Sequence, residues 1–485
     1  MKKLTLLFIC IFPFFSFCQN YQHDNFFGTN GRVVTDINNG SEDVSVSFVE
    51  LNDHSIITLV QDTYPSNTYY LIKYLPSGTI DTNYGNNGFI NLSFIDVKYF
   101  SKMILKNNDR ILLIGKTGTY PNYNTKITQL LSNGNLDVSF ANNGSLETIG
   151  ILNFKLNSNN TFFLYKIVKE NNINQLEQTR FLENGSLDIS FGTNGFFSFS
   201  ITNSGNNLIN QVQFINNKRY IYYKHLNTQS NYEYYIAVYY DNGSIDTTFG
   251  INGELVYYSN ASTQQNITKY IKTNGSLIFA IKDQNSFYLK QYTSNGQLDN
   301  SFSTNGIATN NLDYSNEMYG HYVNSIICKN NNDFFVIGAI GGEEETYLTI
   351  HKFNNNGNLE DDFSINFGYS YQHNQIKYSD DKFIILGETF WYSLNQNIVL
   401  ERYSTDVLDT KNYTQAFKIY PNPVHSNLII DNTTGNVNYT IFNILGKKIL
   451  TGKFNSLSKN IDVSNIHNGI YLIKINDKSY KFIKK

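Results

Sequence analysis

Acidic side chains return along the chain at near-regular intervals: Asp24, Asp81, Asp137, Asp188, Asp246 and Asp299, with weaker copies at Glu360 and Asp409, spaced 49 to 61 residues apart. One carboxylate in each of several equivalent loops serves either a cation site or a turn whose backbone N–H groups it accepts. A calcium ion gathers about six to eight oxygens, and a single acid per copy without the alternating acidic loop of an EF-hand falls short of that. The turn is therefore the preferred reading. Each acid sits in a dozen residues of nearly fixed text: NGNLDVSFANNG from Asn133, NGSLDISFGTNG from Asn184, NGSIDTTFGING from Asn242 and NGQLDNSFSTNG from Asn295. The Asn-Gly pairs accept the positive φ of tight turns, and the Leu or Ile before the acid anchors the turn in a core. The aromatic three residues after the acid, Phe140, Phe191, Phe249 or Phe302, is expected to wedge between neighbouring units. Taken together, the motif reads as a hinge between units.

Residue types and spacings elsewhere offer little other chemistry. His23, His54, His225, His321, His351, His373, His425 and His467 are scattered, with no HExxH and no ligand pair at helical or hairpin spacing. There is no G-x-S-x-G elbow, Walker loop or dinucleotide fingerprint. No catalytic, metal or cofactor-binding residue is assigned and no cofactor is expected. Cys328, in the strand-like run SIIC, reads as an inert buried thiol. The acidic run Gly341-Gly342-Glu343-Glu344-Glu345 reads as a solvated loop. Trp391 and Tyr392 offer either a sugar-stacking pair or packing at a seam.

The elements that position these loops follow from the intervals between them. After Gly144 come SLETIG, ILNFKLNSNN, TFFLYKIV and NQLEQTRFLE, and after Gly253 come ELVYYS, ITKYIKTNG, SLIFAIKD and SFYLKQYT. Four strand signals per period of about fifty residues are the mark of a propeller blade. Composition agrees: 41% of residues are apolar, 15% aromatic and only 16% charged, a balance that favours strands and turns. Eight marks bound seven units. The fold class is therefore all-β, a seven-bladed propeller followed by a small sandwich, with the early strand GRVVTDI completing the last blade beside NIVLERYS.

Three segments are distinguished: residues 1–18, 19–410 and 411–485. Lys2 and Lys3 precede the apolar run LTLLFICIFPFFSF and the tripeptide Ser16-Phe17-Cys18, the order of a secretory signal peptide cleaved before Gln19. Phe17 is bulky where a lipoprotein signal needs a small residue, so acylation of Cys18 is not expected. Cleavage leaves Cys328 alone, and an internal disulfide is then ruled out. No later run is long enough to cross a bilayer as a helix. Charge divides the remainder. Residues 19–410 carry a net −13, whereas 411–485 hold eleven Lys against three Asp. An acidic body repels phosphate, so nucleic acid is excluded as its partner.

Two family resemblances rest on these residues. The L-D-x-S-F-G-x-N-G text after an Asn-Gly turn, over residues 22–410, resembles the delta-60 class of propeller repeat of exported bacterial proteins. The segment 411–485 resembles the type A sorting domain of the type IX secretion system of Bacteroidota. It is carried by Tyr420-Pro421-Asn422-Pro423, Leu428 and Ile430, the Gly446-Lys447 turn, Gly469 with Tyr471, Ile473 and Lys474, and the closing Lys484-Lys485. That resemblance implies export through the type IX machinery and a location in the medium or on the outer cell surface. The function expected is a binding or structural module, not an enzyme, acting as a monomer on a surface polysaccharide or a protein. The rival is an extracellular polysaccharide-active enzyme with its site at one mouth of the ring.

Overall fold

The computed structural model describes residues 22–404 and 418–485 apart from short stretches, the longest of them 310–320. Every named element among them is a strand. The chain divides after Asp406 into two compact units.

The first unit contains seven antiparallel sheets. Six are built from four consecutive strands each, over residues 43–91, 99–149, 153–200, 208–261, 267–309 and 321–369. The seventh takes Gln372–Ser379, Lys382–Thr389 and Asn397–Ser404 from late in the chain, and Gln22–His23 and Arg32–Thr35 from its beginning. Val33 pairs with Leu400 and Thr35 with Ile398. The closing strand is thus the one anticipated from GRVVTDI, and early and late segments are fastened to one another inside a single sheet.

The blades pack through residues of alternating parity. In the second strand of the sixth blade, Phe334 and Val336 meet the fifth blade, while Phe335 and Ile337 meet the seventh. Ile111 and Leu113 likewise face the first blade, and Leu112 and Ile114 the third. A strand flanked on both faces must be apolar at every position, which is why IITLV, ILLIG, LIFAI, FFVIG and FIILG are continuous rather than alternating. The ring closes through a cluster that joins Ile384, Leu386, Ile398 and Leu400 of the seventh blade to Phe48, Ile56, Val60 and Tyr74 of the first.

Inner strands add polar links around the ring. Five of them carry a one-residue register shift, between Ser45 and Ser47, Phe100 and Lys102, Ile209 and Gln211, Val323 and Ser325, and His373 and Gln375. Such bulges bend a strand and release side chains from the ladder. Ser47 Oγ accepts from the Met103 N–H of the next blade at 3.1 Å, and Gln375 Oε1 accepts from Phe48 N–H at 2.8 Å.

The topology corrects one expectation. The repeated dozen is not a hinge between blades but a long hairpin within one. NGSLDISFGTNG joins Ile173–Phe181 to Phe196–Ser200, and these two strands pair, Gln178 opposite Phe197. An outermost strand antiparallel to the third must be reached by a hairpin, and the chain crosses to the next blade only after it.

The second unit has a three-stranded sheet of Lys418–Tyr420, Asn427–Asp431 and Asn460–Asp462. Its four-stranded partner consists of Lys448–Phe454, Val437–Asn443, Gly469–Ile475 and Lys478–Lys484. The sheets enclose one core, including Leu428, Ile430, Ile441, Ile461, Tyr471, Ile473 and Phe482.

Candidate functional site

The repeated carboxylates are placed alike. Oδ1 accepts the N–H two residues on: Ser139 for Asp137, Ser190 for Asp188, Thr248 for Asp246 and Ser301 for Asp299, each at 3.1 Å. Asp24 and Asp81 accept from Phe26 at 3.0 Å and Asn83 at 3.2 Å. The other oxygen is also engaged. It takes Gln129 Nε2 at 2.8 Å in Asp137, Arg180 Nε at 2.7 Å in Asp188, Lys218 Nζ at 2.6 Å in Asp246 and Gln291 Nε2 at 2.8 Å in Asp299. Lys73 Nζ lies 3.0 Å from Asp81, and Arg402 Nε donates to Asp24 at 2.9 Å. A calcium ion would have to displace all of these donors. The bonds hold Asp137, Asp188 and Asp299 below the usual carboxylate range, and Asp246 is drawn to about 2 by Lys218 and Thr248 despite the opposing effect of burial.

These partners reveal a position that the sequence reading missed. Lys73, Gln129, Arg180, Gln291 and Lys352 each precede the acid of their copy by eight residues, and Arg402 stands in the same relation to Asp24 through the closing sheet. The signal was present in the text, in KYLPSGTID, QLLSNGNLD, RFLENGSLD, QYTSNGQLD and KFNNNGNLE. At the fourth blade Val238 occupies the position, and Lys218 from the neighbouring strand supplies the cation instead. Glu360 lies within the strand Leu359–Tyr369 and pairs with Lys352 at 2.9 Å. Asp409 lies outside the described residues; Asp24 serves the seventh blade.

The loops also touch one another around the ring. Ala141 N–H donates to Asn184 O at 2.7 Å, Gly250 to Asn295 at 2.8 Å and Ser303 to Asn356 at 2.8 Å. Phe140, Phe249 and Phe302 are buried in the seams with the following blade, and Phe191 is half-buried. Gly185 shows why the motif begins with Asn-Gly. Its φ is +80°, and a Cβ there would lie 2.7 Å from the Phe140 ring of the preceding blade.

Other candidates carry little chemistry. Burial pushes the Cys328 thiol up to about 11, so it stays protonated. Glu50, His54 and Asp380 converge at the seam of the first and seventh blades, but Glu50 Oε2 already accepts from Lys377 Nζ and Ser379 Oγ at 2.6 Å. Residues 342–344 of the acidic run, together with Trp391 and Tyr392, lie outside the described residues. A cavity of about 370 Å³ opens on the inner strands of blades three to five, lined by Asn153, Lys155, Gln211, Gln213, Phe214 and Tyr270 among others.

In the second unit Asn422 clamps the last strand, accepting from Ile483 N–H at 2.9 Å and donating to Lys481 O at 3.2 Å. Pro421 and Pro423 flank it, both after cis peptide bonds. Tyr471 donates to His467 O at 2.7 Å and stacks on Phe482. Lys484 is buried, its ammonium on Lys485 O at 2.7 Å, whereas Lys474 and Lys485 are exposed and Tyr420 partly so. Gly469 opens its strand, and Gly446 lies outside the described residues. Gly452, which the sequence reading passed over, is needed for close approach: a Cβ there would lie 2.6 Å from Tyr439 Oη.

A family model described as a secretion system C-terminal sorting domain matches residues 418–485, and one described as a domain of unknown function (DUF5122) beta-propeller matches residues 106–140. No curated protein matches the chain. Among solved structures, similarity extends to the polysaccharide lyase Uly1, with 8% identity over 77% of this chain and 99% of that one and a TM-score of 0.47. The beta-propeller domain of the Trilobed protease from Pyrococcus furiosus, of open velcro topology, shows 9% identity over 74% and 95% with a TM-score of 0.41. Prolyl oligopeptidase B from Galerina marginata shows 10% identity and a TM-score of 0.47, with 90% of this chain covered and 55% of that one. No helix among the described residues is long and apolar enough to cross a membrane. With seven antiparallel blades among the described residues and a matched sorting tail, the chain is a β-propeller exported by the type IX secretion system to the cell surface or the medium.

Proposed function

We propose that the propeller is a binding module and not an enzyme, released or displayed after removal of residues 1–18 as a signal peptide, in a bacterium of the Bacteroidota. The observation that carries this reading is the character of the inner cavity. Its wall offers amide groups, an ammonium and aromatic faces, the equipment of recognition, and among the described residues no paired carboxylates. The repeated acids, which are the chain's most regular chemical feature, are consumed by turn bonds and by side chains of the adjoining strands.

The test is a glycan-array screen of the purified protein, followed by incubation of each hit and analysis for shortened products. Binding without turnover is expected. Turnover would establish the alternative, a polysaccharide-active enzyme. The sorting tail is expected to engage the secretion machinery and the propeller to act as a monomer, which sedimentation analysis checks.

A further inference from the structure

Lysines gather on the inner side of blades two and three, in a body whose net charge is −13. A cavity of about 200 Å³ has Ser101, Lys102, Lys116 and Thr125 in its wall, and the larger one of about 370 Å³ has Lys155, Gln211, Gln213 and Tyr270. Both include Asn153 and Phe154, so they adjoin at the inner strand Asn153–Leu156. Among the described residues neither wall contains an Asp or Glu. Lys102 is exposed, and Lys116 Nζ stands 5.9 Å from the Tyr99 ring and 5.6 Å from that of Tyr123. Lys98 Nζ is also 5.6 Å from Tyr123, so two ammoniums share one ring. Lys155 Nζ lies 5.0 Å from the Phe214 ring, and burial draws its pKa down against the attraction of Asp241.

We propose that these adjoining cavities form one groove for a linear anionic polysaccharide, a chain of uronate or sulfated sugars. The inference rests on the binding-module reading and deepens it. Cations in a cavity whose described wall carries no carboxylate gain most from an anionic ligand, since their desolvation is then compensated. Lys102, Lys116 and Lys155 meet carboxylate or sulfate groups. Gln213 Oε1 accepts from Tyr222 Oη at 2.9 Å, which fixes the amide and leaves its NH₂ for a sugar hydroxyl. Phe154 and Tyr270 offer aromatic surface to the apolar face of a pyranose ring. Because the two cavities span inner strands from the second to the fifth blade, the ligand is a polymer segment rather than a single small anion.

Isothermal titration of the full chain with an oligogalacturonate of about eight units, against a neutral galactan oligosaccharide of equal length, tests the assignment. Only the anionic chain should bind, more weakly as salt rises. The double variant Lys102→Gln/Lys155→Gln should bind at least about tenfold more weakly with an unchanged unfolding midpoint, a loss of about 1.4 kcal/mol. Lys453→Gln, an exposed change in the second unit, should bind as the wild type does. Equal binding of the neutral chain, wild-type affinity in the double variant, or absence of binding overturns the proposal. So does equally tight binding of polyglutamate or single-stranded DNA, which would reduce the groove to unselective charge. A neutral glycan found on the array would leave the binding module standing and remove this inference. Cleavage of the oligogalacturonate would do the reverse.

Discussion

Asp246 condenses the chemistry of the repeat into one side chain. It is 1% exposed, accepts the Thr248 N–H and hydroxyl, and holds the Lys218 ammonium. Asp246→Ala leaves the Thr248 N–H and the Lys218 ammonium without their acceptor and should cost about 1–3 kcal/mol in chemical denaturation. Its carboxyl is held at about 2, below its unfolded value, so its contribution is complete above about pH 4 and is lost as pH falls towards 2. Stability measured across that window should fall for the wild type and fall less steeply for Asp246→Asn. Ala141 makes the opposite case. It holds φ +46° where four other copies place Gly28, Gly85, Gly192 and Gly250 at φ of +54° to +57°. Ala141→Gly should therefore raise stability by about 0.5–1 kcal/mol, provided that relief of the left-handed strain exceeds the entropy cost of glycine.

At the scale of the element, the closing strand is the most exposed to test. Arg32–Thr35 covers the outer edge of Asn397–Ser404, and the same segment brings Asp24 to Arg402 and Phe27 into the seam with the first blade. Removing residues 22–35 uncovers a strand edge and strips a buried cation of its carboxylate at once. The ring should lose cooperative unfolding, and its hydrodynamic radius should grow. A deletion that left both unchanged would show that the apolar seam alone closes the propeller. Two of the inner bulges have a similar role, since Ser47 and Gln375 directly after them bond the next blade.

At the scale of the whole molecule, an acidic propeller is joined to a basic tail of separate core. Deleting residues 418–485 should leave a folded propeller in the periplasm, because the tail, not the ring, carries the export signal; fractionation with an antibody to the propeller checks this. Asn422→Ala, which breaks both side-chain bonds to the last strand, should lower the tail's stability by about 1–3 kcal/mol and reduce secretion without moving the propeller's unfolding transition.

Much of this was legible in the chain because it is local or periodic. Asn-Gly turns, an acid two residues before its N–H donor, alternating or continuous apolar strands and the spacing of the copies are fixed by backbone sterics and short-range hydrogen bonds. They specified an all-β ring, its number of blades and even its closing strand. Three things waited for the tertiary structure. Whether the repeated dozen joins blades or strands depends on which strands pair, and the same turn chemistry serves either. The cation or amide eight residues before each acid was visible as text but had no meaning until the hairpin folded it back, and at the seventh blade the pair spans nearly the whole ring, from Asp24 to Arg402. The lysine-lined groove arises from strands of different blades, Lys102, Lys116 and Lys155 among them, and side chains so separated acquire a common electrostatic field only when the ring brings them together.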